Sequence, residues 1–128
     1  MVSFDTTFLI DLRMGAPEAL LKAKELEDSG EPKCVTSPAA AEFLVGAHRV
    51  GGRQLERSRA LLRSLVLLDA DLEACDEAGR IGAQLFARGE PLSANDLLIA
   101  AISKRHGQRL LTRDRTFSRV PGLAVETY

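Results

Sequence analysis

Six consecutive apolar residues, Leu97-Leu98-Ile99-Ala100-Ala101-Ile102, follow the start signal Ser93-Ala94-Asn95-Asp96. Ser93 is a favoured N-cap and an acid suits the first helical turn, so the run reads as a helix. It is apolar on every side, and a helix of that kind is buried all round. A chain of 128 residues can bury one such core, which predicts a single domain over 1–128.

Short apolar strands alternate with helices around it. Val2 to Phe4 reads as a strand ending at Asp5; Thr6 or Thr7 then caps a helix carrying Phe8, Leu9 and Leu12. Pro17 opens a second helix and Gly30 follows its end. Lys33 to Thr36 is a second strand. Ser37 caps, and Pro38 begins, a helix that passes through Glu42 towards Val50. A helix over about Arg53 to Leu65, a strand over Val66 to Leu68 and a long helix from about Asp71 to Arg88 come next. Leu110 to Thr112 is a fourth strand, closed by Arg113-Asp114, and Leu123 to Glu126 a fifth, reached through the Pro121-Gly122 turn. The pattern predicts an α/β fold with a short parallel sheet of four to five strands covered by helices. Active crevices in such sheets lie beyond the carboxyl ends of the strands.

Composition narrows the function classes. The chain has 17 basic and 18 acidic residues, 45% hydrophobic and 27% charged, which is globular rather than disordered. No apolar run approaches the roughly 18 residues of a membrane helix. Met1-Val2-Ser3-Phe4-Asp5 has no basic region, so no secretory signal is expected. Two cysteines, Cys34 and Cys75, make neither a disulfide scaffold nor a zinc knuckle, and a cytoplasmic location is expected. His48 and His106 have no partner at metal spacing. Glycine-rich phosphate loops, a Gly-x-Ser-x-Gly elbow and an aromatic stacking platform are all absent. Charge is sorted locally: five arginines against Glu56 between Arg49 and Arg63, six basic residues against Asp114 between Lys104 and Arg119, and five acids without a base from Asp69 to Glu77. These are solvated helix faces or, for the basic windows, phosphate-contact patches.

Four carboxylates stand where chemistry could use them. Asp5 and Asp114 each follow an apolar strand, which puts both at the carboxyl-end crevice if the strands are neighbours. Either could equally be a loop or cap acid. Glu42 lies one turn into its helix among Ala39, Ala40, Ala41, Phe43, Leu44 and Val45. It is costly to bury unless paired or metal-bound, and ordinary if it faces solvent. Asp96 stands at the mouth of the apolar helix, at capping-box spacing from Ser93. Four acids in one crevice would repel, favouring raised pKa values or a bound cation. All-oxygen ligands select Mg²⁺ or Mn²⁺ rather than zinc.

The chain resembles the PIN-domain nucleases, in particular the small single-domain VapC type of toxin ribonuclease. The matching segments are Val2-Ser3-Phe4-Asp5-Thr6-Thr7-Phe8-Leu9-Ile10, Ser37 with Ala41-Glu42-Phe43, Asn95-Asp96-Leu97-Leu98-Ile99-Ala100-Ala101, and Leu111-Thr112-Arg113-Asp114 with Phe117. Val120-Pro121-Gly122-Leu123-Ala124-Val125 fits the family's last strand. The resemblance implies a three-layer PIN-like fold. It implies one Mg²⁺/Mn²⁺ pocket formed by Asp5, Glu42, Asp96 and Asp114, with a hydroxyl still present at Thr7; Thr112 could add a second pocket hydroxyl or be an ordinary strand threonine. The family often has Asn or Ser where Thr7 stands, and a further acid where Thr116 stands, so one metal or two is left open. The implied activity is metal-dependent endoribonuclease cleavage leaving a 3′-hydroxyl and a 5′-phosphate, with Arg113, Arg115 and Arg119 on the RNA backbone. The implied partners are a cognate antitoxin and a second copy in a homodimer, the latter burying apolar surface from Phe43, Leu44 and Val45. Two other readings compete. One is a non-catalytic PIN-like module that binds RNA or protein. The other is a phosphohydrolase with an Asp5 nucleophile, which would want a second Asp where Thr7 stands.

Overall fold

Five parallel strands run side by side in the order β3-β2-β1-β4-β5: β1 (Val2–Phe4), β2 (Lys33–Thr36), β3 (Val66–Leu68), β4 (Arg109–Leu111) and β5 (Val125–Glu126). The computed structural model describes residues 1–128. Six helices flank the sheet: α1 (Thr6–Met14), α2 (Pro17–Ser29), α3 (Ser37–Val50), α4 (Gly52–Arg63), α5 (Leu72–Ala87) and α6 (Ala94–Arg105). This is the α/β architecture the alternating pattern predicts.

The chain builds outward from β1 to β2 and β3, then returns to the far side of β1 for β4 and β5. The order therefore reverses between β1 and β4, where open α/β sheets form their crevices. Val2, Ser3 and Phe4 are all buried, as a central strand covered on both faces requires. Phe8, Leu9, Phe43, Ile81, Leu85, Ile99, Leu110, Leu111 and Phe117 fill the core around them.

Several boundaries shift, each for a local reason. The cap of α1 is Asp5 rather than Thr6 or Thr7; its backbone is extended (φ −75, ψ 161) and its carbonyl accepts from the Phe8 and Leu9 amides. Its carboxylate is free for other bonds. In α3 the cap is Thr36, whose Oγ1 accepts from the Ala39 amide at 3.3 Å, because β2 runs into the helix without a spare loop residue. Ser37 and Pro38 thus occupy the first two helical positions. Thr112 lies just past β4, and β5 is two residues instead of four.

The apolar helix is covered less completely than its composition demands. Ile99 to Ser103 are buried, but Leu97 and Leu98 are half-buried in a shallow depression against Cys75, Ala78 and Gly79 of α5. The two helices meet tightly at Gly82, where a Cβ would stand 2.7 Å from Leu97 Cδ1.

At the amino end of the sheet, Glu31 receives both Arg109 guanidinium nitrogens (2.6 and 2.7 Å) and the Met1 amine (3.2 Å). Arg109 Nε also donates to Glu126 at 3.0 Å, and Lys22 pairs with Glu126 at 3.1 Å. The Arg109 bonds, helped by the amine, hold the Glu31 carboxyl down to about 2. The network links β1, β4, β5 and α2 at the end opposite the crevice.

Candidate active site

Asp5 is placed by the end of β1 and Thr112–Asp114 by the end of β4, so the reversal of strand order brings residues 107 positions apart into contact. Asp5 is 3% exposed, and its Oδ2 accepts from Thr112 Oγ1 at 2.6 Å and from Thr7 Oγ1 at 3.1 Å. The two hydroxyls lie 3.2 Å apart. Burial pushes the Asp5 carboxyl up, and the hydroxyl and amide donors around it oppose that rise. Thr7 and Thr112 are therefore the hydroxyls of this pocket, as the sequence suggested.

The chain beyond β4 is tied down by the same hydroxyls. Thr7 Oγ1 accepts from the Arg113 amide at 3.1 Å, and Thr112 Oγ1 accepts from the Asp114 amide at 2.9 Å. Asp114 caps a 3₁₀ turn over Arg115–Arg119; its Oδ1 accepts from the Thr116 amide at 2.9 Å and the Thr116 hydroxyl at 2.7 Å. Thr116 thus supplies both its amide and its hydroxyl as donors to Asp114. All the protein bonds to this carboxylate fall on Oδ1.

Asp96 is half-buried in the first turn of α6, and its own amide is held by Ser93 Oγ at 3.1 Å, as the capping spacing indicates. Its carboxyl is pushed up, first by burial and then by the charges of Asp114, Asp5 and Glu42. Glu42 is exposed on α3, the ordinary position for a glutamate. No group of three or more His, Cys, Asp or Glu side chains stands in ligating arrangement. The donors are nonetheless carboxylate and hydroxyl oxygens only, and the charge raising Asp96 is what a hard divalent cation relieves. A cation here would rely on water or side-chain movement to complete its shell, and Mg²⁺ commonly keeps several waters.

The basic window divides. Arg105 pairs with Asp71 and Glu73, Lys104 with Glu77, and Arg109 with Glu31 and Glu126. Arg113, expected on the RNA backbone, is instead forked onto Asp11 through Nε (2.7 Å) and Nη2 (2.9 Å), because Asp11 faces it from α1. Asp11 also accepts from the Tyr128 hydroxyl. Asp11 and Tyr128 escaped the sequence reading; the usable signal was that Asp11 stands four residues after Thr7, on the same helix face. Arg115 and Arg119 make no carboxylate pair. Arg113 and Arg115 both line a cleft of about 270 Å³ with Thr112, Asp114 and Ser118. A larger concavity of about 720 Å³, between α5 and the end of α6, contains none of the four acids. The dimer argument from α3 also changes: Phe43 is fully buried in the core and Leu44 partly so, and only Val45 is open, at 63%.

A family model described as PIN domain matches residues 2–123. The chain is 28% identical over 127 residues to the tRNA(fMet)-specific endonuclease VapC of Salmonella typhimurium, covering 97% of this chain and 95% of that one. Among solved structures it resembles DNA-bound VapBC from Salmonella typhimurium, with TM-score 0.80 and 28% identity over 99% of this chain and 98% of the other. It also superposes on VapBC-1 from nontypeable Haemophilus influenzae, with TM-score 0.85 and 21% identity over 99% and 98% of the two chains. At that identity the likeness concerns the fold.

Proposed function

Because this chain belongs to the PIN domain family, we propose that it is a Mg²⁺- or Mn²⁺-dependent endoribonuclease and the toxin of a toxin–antitoxin pair. The observation that carries this is the meeting of Asp5, Thr112 and Asp114 at the reversal of strand order, with Asp96 raised by the other acids. The endonuclease named in the Salmonella relative supports RNA as the substrate class, and the VapBC complexes among the structural neighbours support an antitoxin as partner.

Asp5 and Asp96 would hold the cation, with Glu42 and Asp114 completing its surroundings. When bound, Mg²⁺ or Mn²⁺ supplies Lewis-acid polarisation of the phosphate and a more acidic water. The chain's own groups prepare the rest. The Thr7 and Thr112 hydroxyls orient Asp5 and favour its anion against the burial that opposes it. Thr116 fixes Asp114 through one oxygen and leaves Oδ2 without a protein donor, able to orient a water. In-line attack by water would then form a new phosphorus–oxygen bond and break the one to the 3′ oxygen, which takes up a proton, giving a 3′-hydroxyl and a 5′-phosphate. Arg115 and Arg119 would hold the RNA backbone beside the pocket.

RNA cleavage with Mg²⁺ or Mn²⁺, with and without EDTA, on the unaltered chain and on Asp5→Asn tests the reading. Metal-dependent cleavage lost in the variant is expected. RNA binding with no cleavage under any metal would favour the non-catalytic module instead. We place the protein in the cytoplasm with its RNA, and no helix is long and apolar enough to cross a membrane. A homodimer accords with the open apolar side chains Val45 of α3 and Leu72 and Phe86 of α5. A strict monomer by light scattering at micromolar concentration would remove it.

A further inference from the structure

Arg113 borders the cleft between two residues of the pocket, yet its guanidinium is held on α1. Two bonds fasten it there, one turn apart: its amide to Thr7 Oγ1 at 3.1 Å and its guanidinium fork to Asp11. Asp11 is nearly enclosed, and Tyr128 closes its other side while stacking edge-on against Phe8, with ring centroids 4.8 Å apart. An arginine fork fixes a plane as well as a distance, which a single amide bond cannot do. From this geometry we propose that the Asp11–Arg113 fork, backed by Tyr128, is a positioning device that sets the Thr112–Asp114 segment against Asp5.

The inference rests on the nuclease reading for its effect on rate, but not for its effect on structure. The segment has few other anchors. Beyond the hydroxyl bonds already described, the Thr112 amide bonds to the Glu126 carbonyl of two-residue β5 at 3.0 Å. Without the fork, residues 113 and 114 would pivot on the Thr7 hydroxyl, and Asp114 would lose its fixed relation to Asp5. Arg113 is consequently a positioning residue, not a contact to substrate.

Asp11→Asn keeps the shape and removes the charge; Arg113→Gln removes the fork from the other side. Amide hydrogen exchange on the metal-free chain is the first measurement. Exchange at Arg113 and Asp114 should quicken at least tenfold in either variant, while that at Leu110 in β4 stays unchanged. On RNA, kcat should fall about tenfold to a hundredfold with KM within about twofold, the range for a misplaced catalytic group. The double variant should be no worse than the worse single one. Unchanged exchange at 113 and 114 would overturn the inference whatever the activity. So would an Arg113→Gln variant with raised KM, unaltered kcat and an Asp11→Asn variant like the parent, since Arg113 would then be a phosphate contact. A parent chain that cleaves no RNA defeats the nuclease reading alone, and the exchange result still decides the fork.

Discussion

Single side chains carry opposed electrostatic loads in the pocket. Asp96 is raised by burial and by three neighbouring acids, so the folded state pays for its charge at neutral pH. Asp96→Asn should therefore abolish RNA cleavage while leaving the melting temperature unchanged or a few degrees higher, as thermal unfolding beside an RNA cleavage assay would show. A variant that unfolds would mark Asp96 as a structural cap. Thr112 has the reverse character: its buried hydroxyl donates to Asp5 and accepts from the Asp114 amide. Thr112→Val keeps the volume and leaves both partners short of a bond. Denaturant unfolding should show a loss of about 1–3 kcal/mol, the usual cost of orphaning buried polar groups.

Among the elements, the amino ends of the strands depend on charge pairing as the carboxyl ends depend on hydroxyls. Glu31, held down to about 2 by Arg109 and the amine, is ionised in the folded chain where an unfolded glutamate would already be protonated. Its contribution is fully present above the unfolded value near about 4.3 and is lost as pH falls towards 2. Glu31→Gln should lower stability at neutral pH and flatten the acid limb between roughly pH 5 and 2. A parallel acid limb in parent and variant, measured by urea midpoint against pH, would contradict this.

Strand and helix order was legible because each element has its own periodicity and punctuation. Two caps that follow a strand directly were not: Ser37 and Thr6 carry good cap chemistry, but the sheet releases the chain one residue earlier in both cases, whereas the Ser93 cap, reached through a loop, stands where its spacing put it. That Asp5 and Asp114 would share a crevice followed from their strand ends once β1 and β4 proved to be neighbours. That Arg113 would be occupied could not be read, since the Asp11 that takes it lies 102 residues away with only a helix-face relation to hint at it. The burial of Phe43 was equally hidden, because an apolar triplet on a helix does not say which member faces in.

On the scale of the whole molecule, the near-neutral net charge conceals how few cations remain free beside the pocket. With Lys104, Arg105, Arg109 and Arg113 all paired, Arg115 and Arg119 are the arginines that would carry the proposed electrostatic hold on RNA there. Each phosphate contact on a single strand contributes about 0.7 to the slope of log affinity against log salt. Replacing Arg115 and Arg119 by Ala should reduce that slope by about 1.4, while Arg113→Gln should leave it nearly unchanged. A salt titration of RNA binding in which the arginine pair is silent would direct attention to Arg49, Arg53, Arg57 and Arg63, which also make no carboxylate pair.

The bond between Thr112 and Asp5 joins strands made at opposite ends of synthesis. A ribosome making this chain produces Asp5 almost at once, but the partner that holds its carboxylate emerges only after β4, which must slot in beside the already central β1. Until then the growing polypeptide carries the first acid with the Thr7 hydroxyl alone, without Thr112 and without Asp114. If the proposed nuclease reading holds, catalytic competence would arrive in a late step, once β4 has taken its place beside β1. A chain that stalls or is cut before residue 112 would lack both Thr112 and Asp114, and with them the β4 side of the pocket.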